Sequence, residues 1–268
     1  MLTSPALRCF DILELLAEAA DGLPLSTIGA RLSLPKSATH RALAMLARAG
    51  FVRQSELTQR YQLTLKLPQL AFRFIASTGI TDVAQPVLDA LAARTGELAR
   101  LAIVDGETLT WVAKAQGTAR GLRYDDETGR TVILHATASG KAWLATLDED
   151  VACAIVERAG RIGKAGFGPR VITTLDQLRR ELKHARRRGH AMAIEEGEAG
   201  VIALAAAVLD PSPGAASDAV ATISIAGPLF RLGPARRTEL SAHVVAAARE
   251  MSALWPIQAR LSTRTHAA

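Results

Sequence analysis

Lys36, Ser37, Thr39, His40 and Arg41 crowd five hydrogen-bonding side chains into six consecutive positions. On the first turns of a helix, such groups could reach base edges and phosphates in the major groove of DNA. Arg53 and Arg60, on short extended segments nearby, are placed to clamp the flanking phosphodiester backbone. Elsewhere reactive groupings are sparse. Ser139-Gly140-Lys141 has the residue types of a Ser/Lys nucleophile pair, yet Ser and Gly are ordinary residues at a helix start. Gly140-Lys141 also lacks the upstream glycines of a phosphate-binding loop. Glu195, Glu196 and Glu198 could hold a cation with His190, or form a solvated acidic turn. The six histidines show no HxxxH or HxH spacing, and the two cysteines, Cys9 and Cys153, are too far apart in sequence for a CxxC pair or a disulfide framework. No metal or organic cofactor is expected.

Charge distribution favours the nucleic-acid reading. The chain of 268 residues has 32 Lys and Arg against 26 Asp and Glu, a formal net charge of +6. Residues 31–75 alone carry +7, whereas residues 1–30 carry −3 and the remaining 193 residues +2. One 45-residue segment supplies the basic excess. With 49% hydrophobic and 22% charged residues, the chain can bury ordinary cores, which excludes disordered and fibrous classes. Its length suggests two domains. The longest apolar run, Val201 to Leu209, is too short to span a bilayer, and Asp11, Glu14 and Glu18 interrupt any signal-peptide core. A cytoplasmic protein with no membrane partner is expected.

The elements that must carry these residues can be read from spacing. Ala6, Phe10, Leu13, Ala17 and Ala20 recur at three and four, predicting an amphipathic helix ended by Asp21-Gly22 and Pro24. Ser26 is expected to cap a short second helix over 27–32. A third, donor-tipped helix follows Pro35 and closes at Gly50. Strands at 51–54 and 60–63 then complete the order of a winged helix-turn-helix over 1–64. A mostly apolar linking helix occupies 65–79, and no Ser/Gly-rich linker separates the halves. Beyond it, a hairpin at 98–104 and 108–114 opens an α/β (α+β) domain over 80–258. Strands are predicted at 121–124, 132–135, 191–194, 201–208 and 220–225, with helices at 139–146, 148–159, 175–188 and 235–254. A surface loop at Pro211 to Gly214 and a loose tail over 259–268 complete the reading. An α/β enzyme with an N-terminal assembly domain is the alternative.

Four segments resemble the IclR-type bacterial transcriptional regulators. They are LPKSATHRALAMLARAGFV (34–52), LHATASGKAWLA (134–145), RRGHAMAIEEGEAGVIALAAAVLD (187–210) and ATISIAGPLFR (221–231). The third carries the family's effector-domain signature at Gly189, Glu196, Ala203, Leu204, Ala205, Val208 and Asp210. The resemblance implies a winged helix, a linking helix, and a GAF-like effector-binding domain whose curved mixed sheet holds a small molecule. It also implies a homodimer or homotetramer on double-stranded operator DNA, acting as repressor, activator or both. Contacts between copies would involve the first and linking helices, including Leu70, Phe72 and Phe74, although these could equally be monomer core.

The resemblance places Tyr124, Val132, Ala138, Ser139, Ala193, Val201, Ala203, Ser224 and Ala226 around the effector. Ala193 stands where the family usually has Asp or Ser, and Leu209 where an aromatic residue or His is usual. Relatives that take small carboxylates often have Asp, Cys and Ser where this chain has Ala193, Ala203 and Ala226. The expected effector is therefore a bulkier organic acid, aromatic or branched, with its carboxylate at the start of the Ser139 helix.

Overall fold

The computed structural model describes residues 4–117, 124, 129–210 and 219–255. The chain divides into two compact units, Met1–Ser77 and Thr78–Ala268.

In the first unit, α1 (Pro5–Ala17), α2 (Leu25–Arg31) and α3 (Lys36–Arg48) precede a two-stranded ribbon and α4 (Lys66–Thr78). The ribbon pairs β1 (Val52–Gln54) antiparallel with β2 (Tyr61–Leu63). Ser4 caps α1 by accepting the Leu7 amide, and Pro5 fills the first turn, where no amide donor is needed. Ser26 does not cap α2. That helix begins one turn earlier than the hydroxyl suggests, behind Pro24, whose fixed φ sets the entry. Ile12, Leu16, Ile28, Ala42, Leu43, Leu46, Val52 and Tyr61 form the core that fixes α3 against the other elements. The Lys66 ammonium donates to the Ala49 carbonyl at the end of α3 and sits 4.9 Å from the Phe51 ring centre. A lysine counted in the basic segment is thus used to cap α3.

In the second unit, Gly79 adopts a left-handed conformation between α4 and α5 (Ile80–Thr95). There follow β3 (Leu98–Asp105), β4 (Thr108–Gln116), α6 (Ala138–Leu144), α7 (Glu149–Ala159), α8 (Leu175–Arg188), β5 (Ala191–Ile194), β6 (Val201–Leu209), β7 (Ala219–Pro228) and α9 (Pro234–Leu254). The strands form one sheet in the order β4-β3-β7-β6-β5. Within the mixed α/β domain, every pairing among the described strands is antiparallel, because successive strands are joined by reversals rather than crossovers. The strand expected at 132–135 is absent: only Thr131 bridges to Thr110, and the chain then turns into α6. Of the strand expected at 121–124, only Tyr124 is described, outside any strand; the loop at 211–214 and the tail lie outside the described residues.

Alternation along the strands separates two cores. Leu101, Ile202, Leu204, Ile223 and Ile225 face α5 and α9, while Ala102, Ala193 and Ala205 face α6, α7 and α8. A register shift between Leu101 and Ala102 breaks the alternation in β4. Leu109 and Trp111 consequently face one core, and Ala113 and Ala115 the other.

All seven residues of α6 are buried. Its Lys141 is wholly inaccessible, and the ammonium lies 2.7 and 2.8 Å from the two Glu196 carboxylate oxygens. Burial raises the pKa of Glu196 despite the opposing pull of Lys141. Breaking a buried pair by removing one partner typically costs about 3–5 kcal/mol, since the other charge stays desolvated. Lys141→Ala and Glu196→Ala should each destabilise the second unit by about that amount. Lys141→Met/Glu196→Leu should lose less than either single variant. Urea unfolding followed by tryptophan fluorescence isolates this unit, because Trp111, Trp143 and Trp255 all lie in it. Losses in the double variant equal to the sum of the singles would show that the two charges are not coupled.

Candidate functional site

Each unit presents one arrangement able to bind something. On α3, Lys36, Ser37, His40 and Arg41 are exposed. The opposite face, Ala38, Ala42, Leu43 and Leu46, is buried and holds them in place. Thr39 does not join them. Its hydroxyl donates to the Pro35 carbonyl at 3.1 Å, and its side chain is fully buried beside Gly29 of α2. A threonine can satisfy its hydroxyl on the carbonyl four residues back, and helical spacing places position 39 next to the inward Ala38 and Ala42. Thr39 therefore supports the turn between α2 and α3 and cannot reach a base.

Arg53 on β1 is exposed. Arg60 is also exposed, but its guanidinium approaches the Gly22 carbonyl at 3.4 Å, which ties the base of the ribbon to the end of α1. The free cations presented together are thus fewer than the local count of +7 implies. What remains, Lys36, His40, Arg41 and Arg53, suits phosphate and base-edge contacts.

In the second unit, a cavity of about 670 Å³ opens between the sheet, α6 and α7. Tyr124, Val132, Ala138, Ser139, Ala193, Val201, Ala203 and Ala226 line it. Ser224 does not reach the cavity wall. It lies in the cross-strand row Ala191–Ala205–Ser224–Arg100, whose two alanines are packed into the core beneath α6 and α8. The cavity wall also includes residues that the sequence reading passed over, chiefly Arg100, Trp111, His135, Arg161 and Phe167. A signal for Arg100 was present: it is the one charged residue inside the apolar run Leu98 to Val104. Trp111 had none, because strict alternation gives no warning of the β4 register shift.

The polar chemistry of the wall is concentrated in these residues. The Arg100 guanidinium is 4.0 Å from the Trp111 ring centre and 5.8 Å from that of Tyr124, although Arg100 is only 4% exposed. Stacking on aromatic faces helps a buried guanidinium bear the loss of water. The Trp111 Nε1 and His135 Nε2 atoms are buried without hydrogen-bond partners. Burial, with Lys141 and Arg161 nearby, lowers the His135 pKa, so the imidazole is neutral at pH 7. Its ring meets Phe167 edge-on at 5.2 Å.

The start of α6 is less suited to an anion than its sequence suggests. The helix is two turns long, and Thr137 Oγ1 already accepts the Gly140 amide. Ser139 is buried on the cavity wall without an arrangement of nucleophile and base around it; Lys141 is engaged by Glu196. The three glutamates part ways. Glu195 accepts the Gly200 amide, Glu196 turns inward to Lys141, and Glu198 borders the cavity. Among the described residues, no group of three or more His, Cys, Asp or Glu could hold a metal ion, and no helix is long and apolar enough to cross a membrane.

Comparison with known proteins agrees with both units. Residues 5–56 match the IclR helix-turn-helix domain, and residues 72–253 match the bacterial transcriptional regulator IclR C-terminal domain. The HTH-type transcriptional regulator BhcR of Paracoccus denitrificans is 32% identical over 245 residues, covering 91% of this chain and 85% of that protein. The transcriptional repressor IclR of Escherichia coli is 28% identical over 246 residues, covering 91% and 87%. Among solved structures, an IclR transcriptional regulator from Alicyclobacillus acidocaldarius aligns with a TM-score of 0.79 at 22% identity, covering 95% of this chain and all of that one. An IclR homologue from Microbacterium hydrocarbonoxydans, complexed with 4-hydroxybenzoate, aligns with a TM-score of 0.74 at 20% identity and the same coverage. These relatives are regulators rather than enzymes, and the chain belongs to the IclR family of bacterial transcriptional regulators.

Proposed function

We propose that this regulator reads double-stranded operator DNA through α3 and the β1–β2 wing, within a DNA-binding region spanning 1–64. The observation that carries the reading is the exposed quartet Lys36, Ser37, His40 and Arg41 on a helix whose other face is locked in the core. A helix held this way can enter the major groove without rearranging. The protein acts in the cytoplasm, where its DNA is, and represses, activates or does both at promoters. A small organic effector in the cavity of the second unit shifts operator affinity, a coupling typically of about 1–3 kcal/mol. The solved relative that carries 4-hydroxybenzoate supports an effector of this size.

Assembly into a homodimer or homotetramer belongs to the same reading. A single winged helix buries too little surface to hold a specific site at cellular salt. Helix α4 has no buried residue, and Phe72 and Phe74 are 70% and 71% exposed. Leu7 and Phe10 of α1 are also exposed. The two phenylalanines are therefore not core of the monomer, and an apolar surface of this kind suits a second copy of the chain.

Two measurements test these statements. Lys36→Ala and Arg41→Ala should weaken binding to the DNA flanking the protein's own gene, and each should flatten the logarithmic salt dependence by about one unit of slope. Thr39→Val should leave that slope unchanged while altering thermal stability. Unchanged affinity and slope in both charge variants would remove α3 from the interface. For assembly, Phe72→Asp/Phe74→Asp should sediment as a monomer at micromolar concentration where the parent does not. A monomeric parent, with and without DNA, would overturn the expectation.

A further inference from the structure

The cavity floor has a shape and a charge that together select a ligand. Cross-strand pairing puts Ala193 of β5 opposite Ala203 of β6, and Ala203 opposite Ala226 of β7. All three residues border the cavity. Strands in a sheet lie about 4.8 Å apart, so this row of three methyl groups spans about 10 Å with nothing projecting from it. Two residues along the same face, about 7 Å away, the next row ends in Arg100. A flat apolar floor thus adjoins one buried guanidinium.

The guanidinium carries five N–H donors, more than its stacking on Trp111 can use. The charges bordering the cavity favour an anion. Arg100, Arg130 and Arg161 are present, and of the two carboxylates, Glu107 is held by both guanidinium arms of Arg158. The unpartnered Trp111 Nε1–H gives a further donor beside Arg100, and the unpartnered His135 Nε2, next to Phe167, gives a neutral polar atom on the wall. A wholly aliphatic acid would leave His135 and Trp111 unsatisfied as they are now. Bulky tetrahedral rings fit a flat methyl floor less closely than planar ones.

We infer that the effector is a planar aromatic monocarboxylate, its ring on the Ala193–Ala203–Ala226 floor and its carboxylate on Arg100 beside Trp111. This deepens the effector reading above and rests on it. Arg100 is the residue that sets specificity for the acid. The alanine row sets specificity for the flat ring, and a polar ring substituent would find His135.

The test uses the full-length protein and three probes: benzoate, benzamide and cyclohexanecarboxylate, titrated by calorimetry. Benzoate should bind more tightly than either of the others, benzamide lacking the charge and cyclohexanecarboxylate the planarity. Arg100→Gln should weaken benzoate by about 10–100-fold, the usual effect of losing a charge-assisted hydrogen bond in a buried site, and leave benzamide unaltered. Arg100→Lys should recover part of the loss. Ala203→Leu, which raises the floor, should weaken benzoate and benzamide alike. The comparison of probes on the parent protein stands even if an Arg100 variant fails to fold. Equal binding of benzoate and benzamide would overturn the assignment of Arg100, as would wild-type benzoate affinity in folded Arg100→Gln. Preference for cyclohexanecarboxylate would overturn the planar ring while leaving an effector site in place. Absence of binding by every probe at millimolar concentration would overturn the inference altogether, and operator binding measured by gel shift would still decide the DNA reading separately.

Discussion

The ion pair between Lys141 and Glu196 is the constraint on which the second unit depends. Taking two charges out of water costs several kcal/mol per ion, and their attraction offsets this only when geometry is good. Here the ammonium lies within 2.8 Å of both carboxylate oxygens, and the Ile194 amide adds a weaker contact at 3.4 Å. The pair joins α6 to the turn that links β5 and β6. It fixes a helix with no exposed residue over a sheet whose rows at that point are mostly alanine. Gly140 is required for the same close approach. A Cβ there would lie 2.3 Å from the Leu134 carbonyl oxygen, so any side chain would push α6 away from the segment that walls the cavity. The void above the Ala193–Ala203–Ala226 row persists because α6 is pinned beside it and is not free to collapse into it.

How much of this was legible in the sequence depended on whether the signal was local. Helices α7, α8 and α9 announce themselves through periodicity and caps. Thr174 and Gln177 form a reciprocal capping box at the start of α8, within one residue of the boundary that spacing predicts. Strands β5, β6 and β7 read equally well as apolar runs between turn residues. The segment 132–135 misled because it has strand composition, but its backbone is consumed by the turn into α6. Composition measures fitness for a half-buried surface, and that segment is buried without being paired.

Side-chain roles followed the same division. Lys36, Ser37, His40 and Arg41 lie on the face that helical spacing assigns, whereas Thr39 was misread because its residue type suits a base contact and its position does not. Lys66 and Arg60 contribute to the basic segment, yet each reaches a backbone carbonyl of its own unit, at Ala49 and Gly22. Glu196 looked like part of an acidic turn until folding brought Lys141, 55 positions away in sequence, against it. Pairs of that separation leave no local trace in one sequence. Trp111 belongs to the same class, since its face was decided by a register shift against β3.

The two positively charged sites show how one type of charge can serve two kinds of recognition. Lys36 and Arg41 stand in water, where holding a cation costs nothing and a phosphate gains little from any single contact. Affinity there must come from several such contacts and from the release of counterions, so it falls steeply with salt. Arg100 is in the opposite regime. Its charge is held in a largely dry wall, stabilised by the Trp111 and Tyr124 rings, and a partner anion is screened far less by solvent ions. One well-placed carboxylate can therefore be discriminated from its neutral isostere without help from a second cation. DNA recognition by this protein rests on number and position of exposed charges. Recognition in the cavity rests on one buried charge and the flat methyl surface beside it.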